Sequence, residues 1–260
     1  MSAGKIDPME QFMVEPVLGH HFTLFGYDVS FTNSALFMVV VFVLLAAFVS
    51  GGLKRQLVPG RWQVAVESMI GFIDNMVSVN IGEGGKKFAP YIFSLFFFIL
   101  FANLVGVMPI AIIPGFHTFA VTSHITVTAV LAFVSFGIVL AVGLWKHGFH
   151  FLSLFVPHGT PAWLLWLIPP VELLSFLVRP FSLGLRLFVA MTAGHILLEV
   201  FGSFVVQGIN AGGPLGWLVS GLSFVMIIGV SALELLVCAI QAYVFALLTS
   251  LYLHDAVHLH

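Results

Sequence analysis

Glu172, Arg179, Arg186, His195 and Glu199 are strung along one apolar stretch, Val171 to Val206, that reads as helix. Ionisable residues inside an apolar helix are rare and mark proton or ion paths, counter-ions or buried pairs. Arg186 is the extreme member. It lies far from either end of the stretch, and a guanidinium keeps its charge at working pH. Such a charge can hold a carboxylate or repel a proton, but it cannot relay one. His195 and Glu199 are of the opposite kind, because an imidazole and a buried carboxyl can both exchange protons near neutral pH.

Helical geometry sorts these residues by face, at about 100° per residue. Ser175, Arg179, Ser182, Ala190 and Ala193 all fall within about 40° of Arg186. Apart from its two arginines this face is a stripe of small residues, which lets another surface approach closely. His195 lies about 180° away, so Arg186 and His195 look in opposite directions from one helix. A second long apolar stretch, Leu215 to Leu253, carries Glu234 and Gln241 on a shared face. The glycine-rich QGINAGGPLG separates the two stretches. In an antiparallel hairpin turning there, Gln241 lies level with Arg186, and Glu234 lies level with His195. Glu199 is one turn beyond His195, and Glu172 lies at the far, inner end. These positions suggest two proton paths that do not meet. One reaches His195, Glu199 and Glu234 from outside; the other reaches Glu172 from inside. A fixed positive charge lies between them.

Several of these residues carry a second reading. Arg179, followed by Pro180, either belongs to the polar stripe or snorkels to the interface. His195 could be a satisfied structural histidine, and Glu234 could be paired to a helix neighbour. For Arg186 the competing reading is a permanent internal salt bridge to Glu199 or Glu234, but neither matches its face and level. Glu199 is either a proton relay or the electrostatic neighbour of His195. Asn103, in FANLVGVMP, is expected to bond across helices and, with Ser182, to give polar support.

The elements that must position these residues follow from composition. Hydrophobic residues make up 60% of the 260, charged residues 8%, and mean hydropathy is +1.12. Soluble domains carry about 25% charged residues, so lipid is the expected solvent. A net charge of −2 implies no nucleic-acid partner. The single cysteine, Cys238, excludes an internal disulfide or a cysteine metal cluster. The expected fold class is an all-α integral membrane protein in a single membrane domain. Residues 1–30 form an outer lead, without the hydrophobic run of a signal peptide. Residues 31–49, 88–107 and 121–145 are spans, and residues 61–81 form an interfacial amphipathic helix. That helix is read with Trp62, Val66, Met69, Ile70, Ile73 and Val77 on its apolar face. Residues 171–206 and 215–253 form a long, strongly tilted two-helix hairpin, since about 50 Å of helix exceeds a bilayer core of about 30 Å. Lys54, Arg55, Arg61, Lys86, Lys87 and Lys146 then fall on one side, which the positive-inside rule makes the cytoplasm or matrix. The amino terminus is outside and the carboxyl terminus inside. Pro109 and Pro114 end the second span. Pro157, Pro161, Trp163 and Trp166 mark an irregular connector with an interfacial aromatic belt. The His20-His21 pair reads as solvated loop, and no metal or cofactor is expected.

SLGLRLFVAMTAGH, Ser182 to His195, resembles the arginine segment of subunit a of the F-type ATP synthase. ALELLVCAIQAYVFALLTSLYL, Ala232 to Leu253, resembles that family's last helix, and FANLVGVMP and the amino-terminal MEQF match as well. The likeness covers nearly the whole chain. Having His195 and Glu234 as the pair resembles the alphaproteobacterial and mitochondrial branch. Gly106 stands where some bacterial members carry an aspartate. The resemblance implies a proton-translocating stator subunit without a catalytic site of its own. Its implied partners are the c-subunit ring, peripheral-stalk b subunits, other ATP synthase subunits and the lipid bilayer. It also implies roles: Arg186 attracts the ring carboxylate and blocks a leak, His195 and Glu234 admit protons, Gln241 positions Arg186, and Glu172 marks the exit. The lack of a presequence favours a bacterial inner membrane over a mitochondrial one. A secondary transporter would need inverted repeats, and a haem-binding subunit would need facing histidine pairs; neither pattern is found.

Overall fold

The computed structural model describes residues 23–24, 27–28, 30–52, 60–108, 120–148, 151 and 166–258. His20, His21, Lys54, Arg55, Pro109, Pro114, Pro157, Pro161 and Trp163 lie outside them. Six helices dominate: α1 (Asn33–Gly52), α2 (Arg61–Ile81), α3 (Ala89–Val107), α4 (Ile125–His147), α5 (Ile168–Ala211) and α6 (Gly213–Val257). All six are long and apolar enough to cross a membrane, α2 being the least hydropathic. The all-α integral membrane class read from the sequence holds. A minimal antiparallel hairpin, Thr23–Leu24 with Tyr27–Asp28, precedes α1. Short 3-10 turns cover Glu83–Lys87 and Val121–Ser123.

Three expectations change. Residues 121–124 do not belong to the third span. Val121–Ser123 form a 3-10 turn, His124 is extended, and α4 starts at Ile125. Ser123 explains the break, since its hydroxyl bonds back to the Ala120 carbonyl at 2.6 Å and competes with continuous helix. The QGINAGGPLG loop is also mostly helix. α5 runs on to Ala211 and α6 resumes at Gly213. Gly212 and Gly213 make the turn with φ of 64° and 73°, a left-handed conformation that costs other residues about 1–2 kcal/mol each. Gly212→Ala or Gly213→Ala should therefore lower the thermal stability of the assembled protein. Gly229→Ala, where an added Cβ meets nothing within 4 Å, should not.

The third change concerns α2. Its buried side is Val66, Ile73, Met76, Val77 and Ile81, while Met69 and Ile70 are exposed. Trp62 is exposed as well, yet its indole donates to the Phe48 carbonyl at 3.1 Å and meets the Phe48 ring edge-on. The helix is amphipathic, with Glu67, Asp74 and Asn75 exposed and Gln63 bonded to Glu67 at 2.8 Å.

The chain sorts into two compact units. The first comprises Met1–Leu44, Leu100–His124 and Leu187–Ile240; the second comprises Leu45–Ile99, Ile125–Arg186 and Gln241–His260. Gly208 and Gly216 bring the α5 and α6 backbones close in the first unit, where Ser220 also donates to the Val205 carbonyl at 3.0 Å. In the second unit Phe97 is fully buried against Phe93, Phe96 and Phe48. Phe176 packs between Phe136 and Phe151. Two side-chain bonds tie its helices, Tyr91 to Ser135 at 2.9 Å and Asn80 to Ser250 at 3.1 Å.

Candidate functional site

The first unit contains a buried acid–imidazole pair. His195 on α5 and Glu234 on α6 are 9% and 2% exposed, with Nδ1 and Oε1 3.8 Å apart. That separation is too long for a direct hydrogen bond and short enough for charges to interact strongly away from water. Among the described residues neither oxygen of Glu234 has a hydrogen-bond partner. A buried carboxyl with no partner is costly unless it carries a proton or meets water. The arrangement therefore suits a group that gains and loses a proton better than a permanent ion pair.

The elements around the pair explain its position. Gly194 gives the Glu234 carboxylate its place, because a Cβ there would lie 2.6 Å from Oε1. Gly106 on α3 approaches from another side, since a Cβ there would sit 3.7 Å from His195 Nε2. One turn before Gly106, fully buried Asn103 donates to the Cys238 carbonyl on α6 at 3.3 Å. Its own Oδ1 lacks a partner among the described residues. Asn103 thus makes the interhelical bond its sequence context suggests, and its amide presents a spare acceptor to the interior. Cys238 contacts Met191 at 3.8 Å, and Thr192 reaches the Ser123 carbonyl at 3.4 Å. Glu199, one turn beyond His195, is half-buried.

The second unit contains the fixed charges. Arg186 is exposed, and among the described residues it has neither a hydrogen bond nor an ion pair. The permanent internal salt bridge considered for it is not found. Ser175 and Ser182 on the same face are exposed, whereas Leu183, beside Ser182, is buried. Gln241 is half-buried and makes no hydrogen bond to Arg186. Glu172 is half-buried near the start of α5. Arg179 does not merely snorkel. Its Nη1 pairs with Asp255 Oδ2 at 3.0 Å, and its guanidinium lies 4.8 Å from the centre of the Tyr252 ring and 5.5 Å from that of Phe176. It is a structural clamp between α5 and α6.

Sequence reasoning missed two parts of this picture. Asp255 lies past the expected helix end at Leu253, so Arg179 had no visible acid. Gly194 stands next to His195, and the rule that placed Glu234 level with His195 places it beside Gly194 too. That signal was available.

A predominantly helical, multi-pass membrane protein with a buried acid–imidazole pair and a bare arginine in its long helices belongs to the class of membrane ion-path proteins only by analogy; homology makes the assignment specific. Residues 33–254 match the family described as ATP synthase A chain. Two proteins called ATP synthase subunit a, from Rhizorhabdus wittichii and Sphingopyxis alaskensis, are 62% and 63% identical over 99% of this chain and 98% of their own lengths. The protein of that name from Mesorhizobium japonicum is 48% identical over 99% of both chains. The chain belongs to the ATP synthase A chain family, subunit a of the F-type enzyme.

Proposed function

We propose that this chain is the proton-translocating stator subunit of the ATP synthase membrane sector, with two offset half-channels separated by Arg186. The observation that carries this reading is Arg186, exposed on a small-residue face with neither hydrogen bond nor ion pair among the described residues. A bare cation in lipid is expensive, so its natural partner is a carboxylate on another subunit. Protons enter from the outer side past Glu199, His195 and Glu234, and neutralise a carboxylate of the c-subunit ring. The neutral ring position then turns into lipid and later releases its proton near Glu172. Gln241 orients Arg186 when the ring is in place. The subunit holds no catalytic site; nucleotide chemistry lies elsewhere in the complex. The peripheral-stalk b subunits and the bilayer complete its surroundings, in a bacterial inner membrane with the carboxyl terminus inside and α2 lying in the inner interface.

Cross-linking tests the partner. Ser182→Cys, on the exposed face, should form a disulfide with a cysteine placed near mid-membrane on the ring subunit. No cross-link from Ser182→Cys to any ring position would sink the proposal.

A second measurement bears on the entry path. Gly194→Ala adds a methyl 2.6 Å from Glu234 Oε1, an overpacking of about 1–3 kcal/mol that the carboxylate relieves by moving. We expect slower proton uptake in membrane vesicles. Gly202→Ala, which meets nothing within 4 Å, serves as the control and should behave as the wild type. Equal rates in the two variants would remove Glu234 placement from the mechanism.

A further inference from the structure

The last turn of α6 carries a histidine pair that proton transport does not use. His254 and His258 are four residues apart on one helix, with ring centroids 4.8 Å apart and planes inclined by 33°. The Cβ atoms of such i,i+4 neighbours lie about 5–6 Å apart. Two imidazoles at that spacing can each bring a nitrogen to the roughly 2.0–2.1 Å that a first-row transition ion requires. Among the described residues His254 Nδ1 is buried and has no hydrogen-bond partner, while His258 is exposed, so one ring of the pair is held by its burial and the other is accessible. His147, at the end of α4, has its Nε2 3.1 Å from the Val257 carbonyl and does not join the pair as a third ligand.

We propose that His254 and His258 form a two-imidazole site for a borderline transition-metal ion such as Cu2+, Ni2+ or Zn2+, with water completing the coordination shell. Among the described residues no group of three or more His, Cys, Asp or Glu side chains could hold a metal, so the site rests on two protein ligands and is open. The carboxyl end of a helix favours a cation through its unpaired carbonyls. Two neighbours act on the site. Asp255 is committed to Arg179 at 3.0 Å and is not a ligand. Lys146 Nζ lies 3.0 Å from the Val257 carbonyl, and its charge opposes a cation there. Nitrogen ligands select against Mg2+ and Ca2+, which require oxygen.

The test is Cu2+ titration of the intact, detergent-purified ATP synthase, read by electron paramagnetic resonance. The expected spectrum shows hyperfine structure from two imidazole nitrogens. Because His258 is exposed, His258→Gln should leave packing undisturbed; we expect it to weaken binding at least tenfold and leave one nitrogen. The His254→Gln, His258→Gln double variant should lose the signal, with ATP hydrolysis retained as the check on assembly. A wild-type complex without an imidazole-type copper signal, or a signal unchanged in the double variant, overturns the proposal.

Discussion

Arg186→Ala abolishes coupled ATP synthesis while the complex still assembles: this is the largest single effect expected for the chain. Arg186 has no hydrogen bond or ion pair among the described residues, and it is exposed, so its removal opens no cavity and breaks no internal bond. What disappears is a permanent charge on the face that the proposed mechanism turns towards the ring. A proton crossing 100 mV gains about 2.3 kcal/mol. On the proposed mechanism the two half-channels then join, and that energy is lost as a leak. Inverted vesicles read both consequences, synthesis and passive proton flux, on one preparation. Arg186→Lys keeps the charge but loses the planar fork, and it should also fail or work poorly. Full coupled activity in Arg186→Ala would falsify the role given to this residue.

Glu234→Gln comes second. The amide has nearly the shape of the carboxyl, so packing at this buried site is retained, but it cannot exchange a proton. Proton transfer through a positioned acid or base contributes about 10²–10⁴-fold. With His195 and water still present, a loss towards the lower end of that range is expected in the rate of proton entry. His195→Ala should slow entry too, through the same pair, without opening a leak. The two substitutions combined should cost little more than the worse of them, since residues that act as a unit are non-additive. Fully additive losses would mean that Glu234 and His195 act separately, and the 3.8 Å approach would then be incidental.

The pairing of the two long helices was legible because two independent numbers agreed. Arg186 with Gln241 and His195 with Glu234 centre on the same glycine-rich segment, and the structure brings the second pair together in the first unit. The extent of those helices was less legible. Gln207 and Asn210 resemble loop residues, yet α5 continues through both. Polar residues near a helix end that leaves the hydrocarbon core cost nothing there, so polarity overstated the break. Arg179 was ambiguous for a related reason: ending α6 at Leu253 hid Asp255. The exposure of Met69 and Ile70 was not readable from periodicity. A single chain has only some of the surfaces it packs against in an assembly, and apolar periodicity does not say which partner covers each face. Gly194 shows the reverse failure, since a rule already in use pointed to it.

The Gly212–Gly213 turn also constrains how the protein is made. A connection of so few residues cannot reach across a bilayer core of about 30 Å. The end of α5 and the start of α6 therefore stay on one side of the membrane, and the two helices are expected to insert most readily as a hairpin. Alone, α5 would carry His195 and Glu199 into lipid without Glu234, and α6 would carry an unpartnered carboxyl. The turn makes each helix the other's escort during insertion, so lengthening it with a flexible linker should slow membrane integration even where the finished subunit works normally.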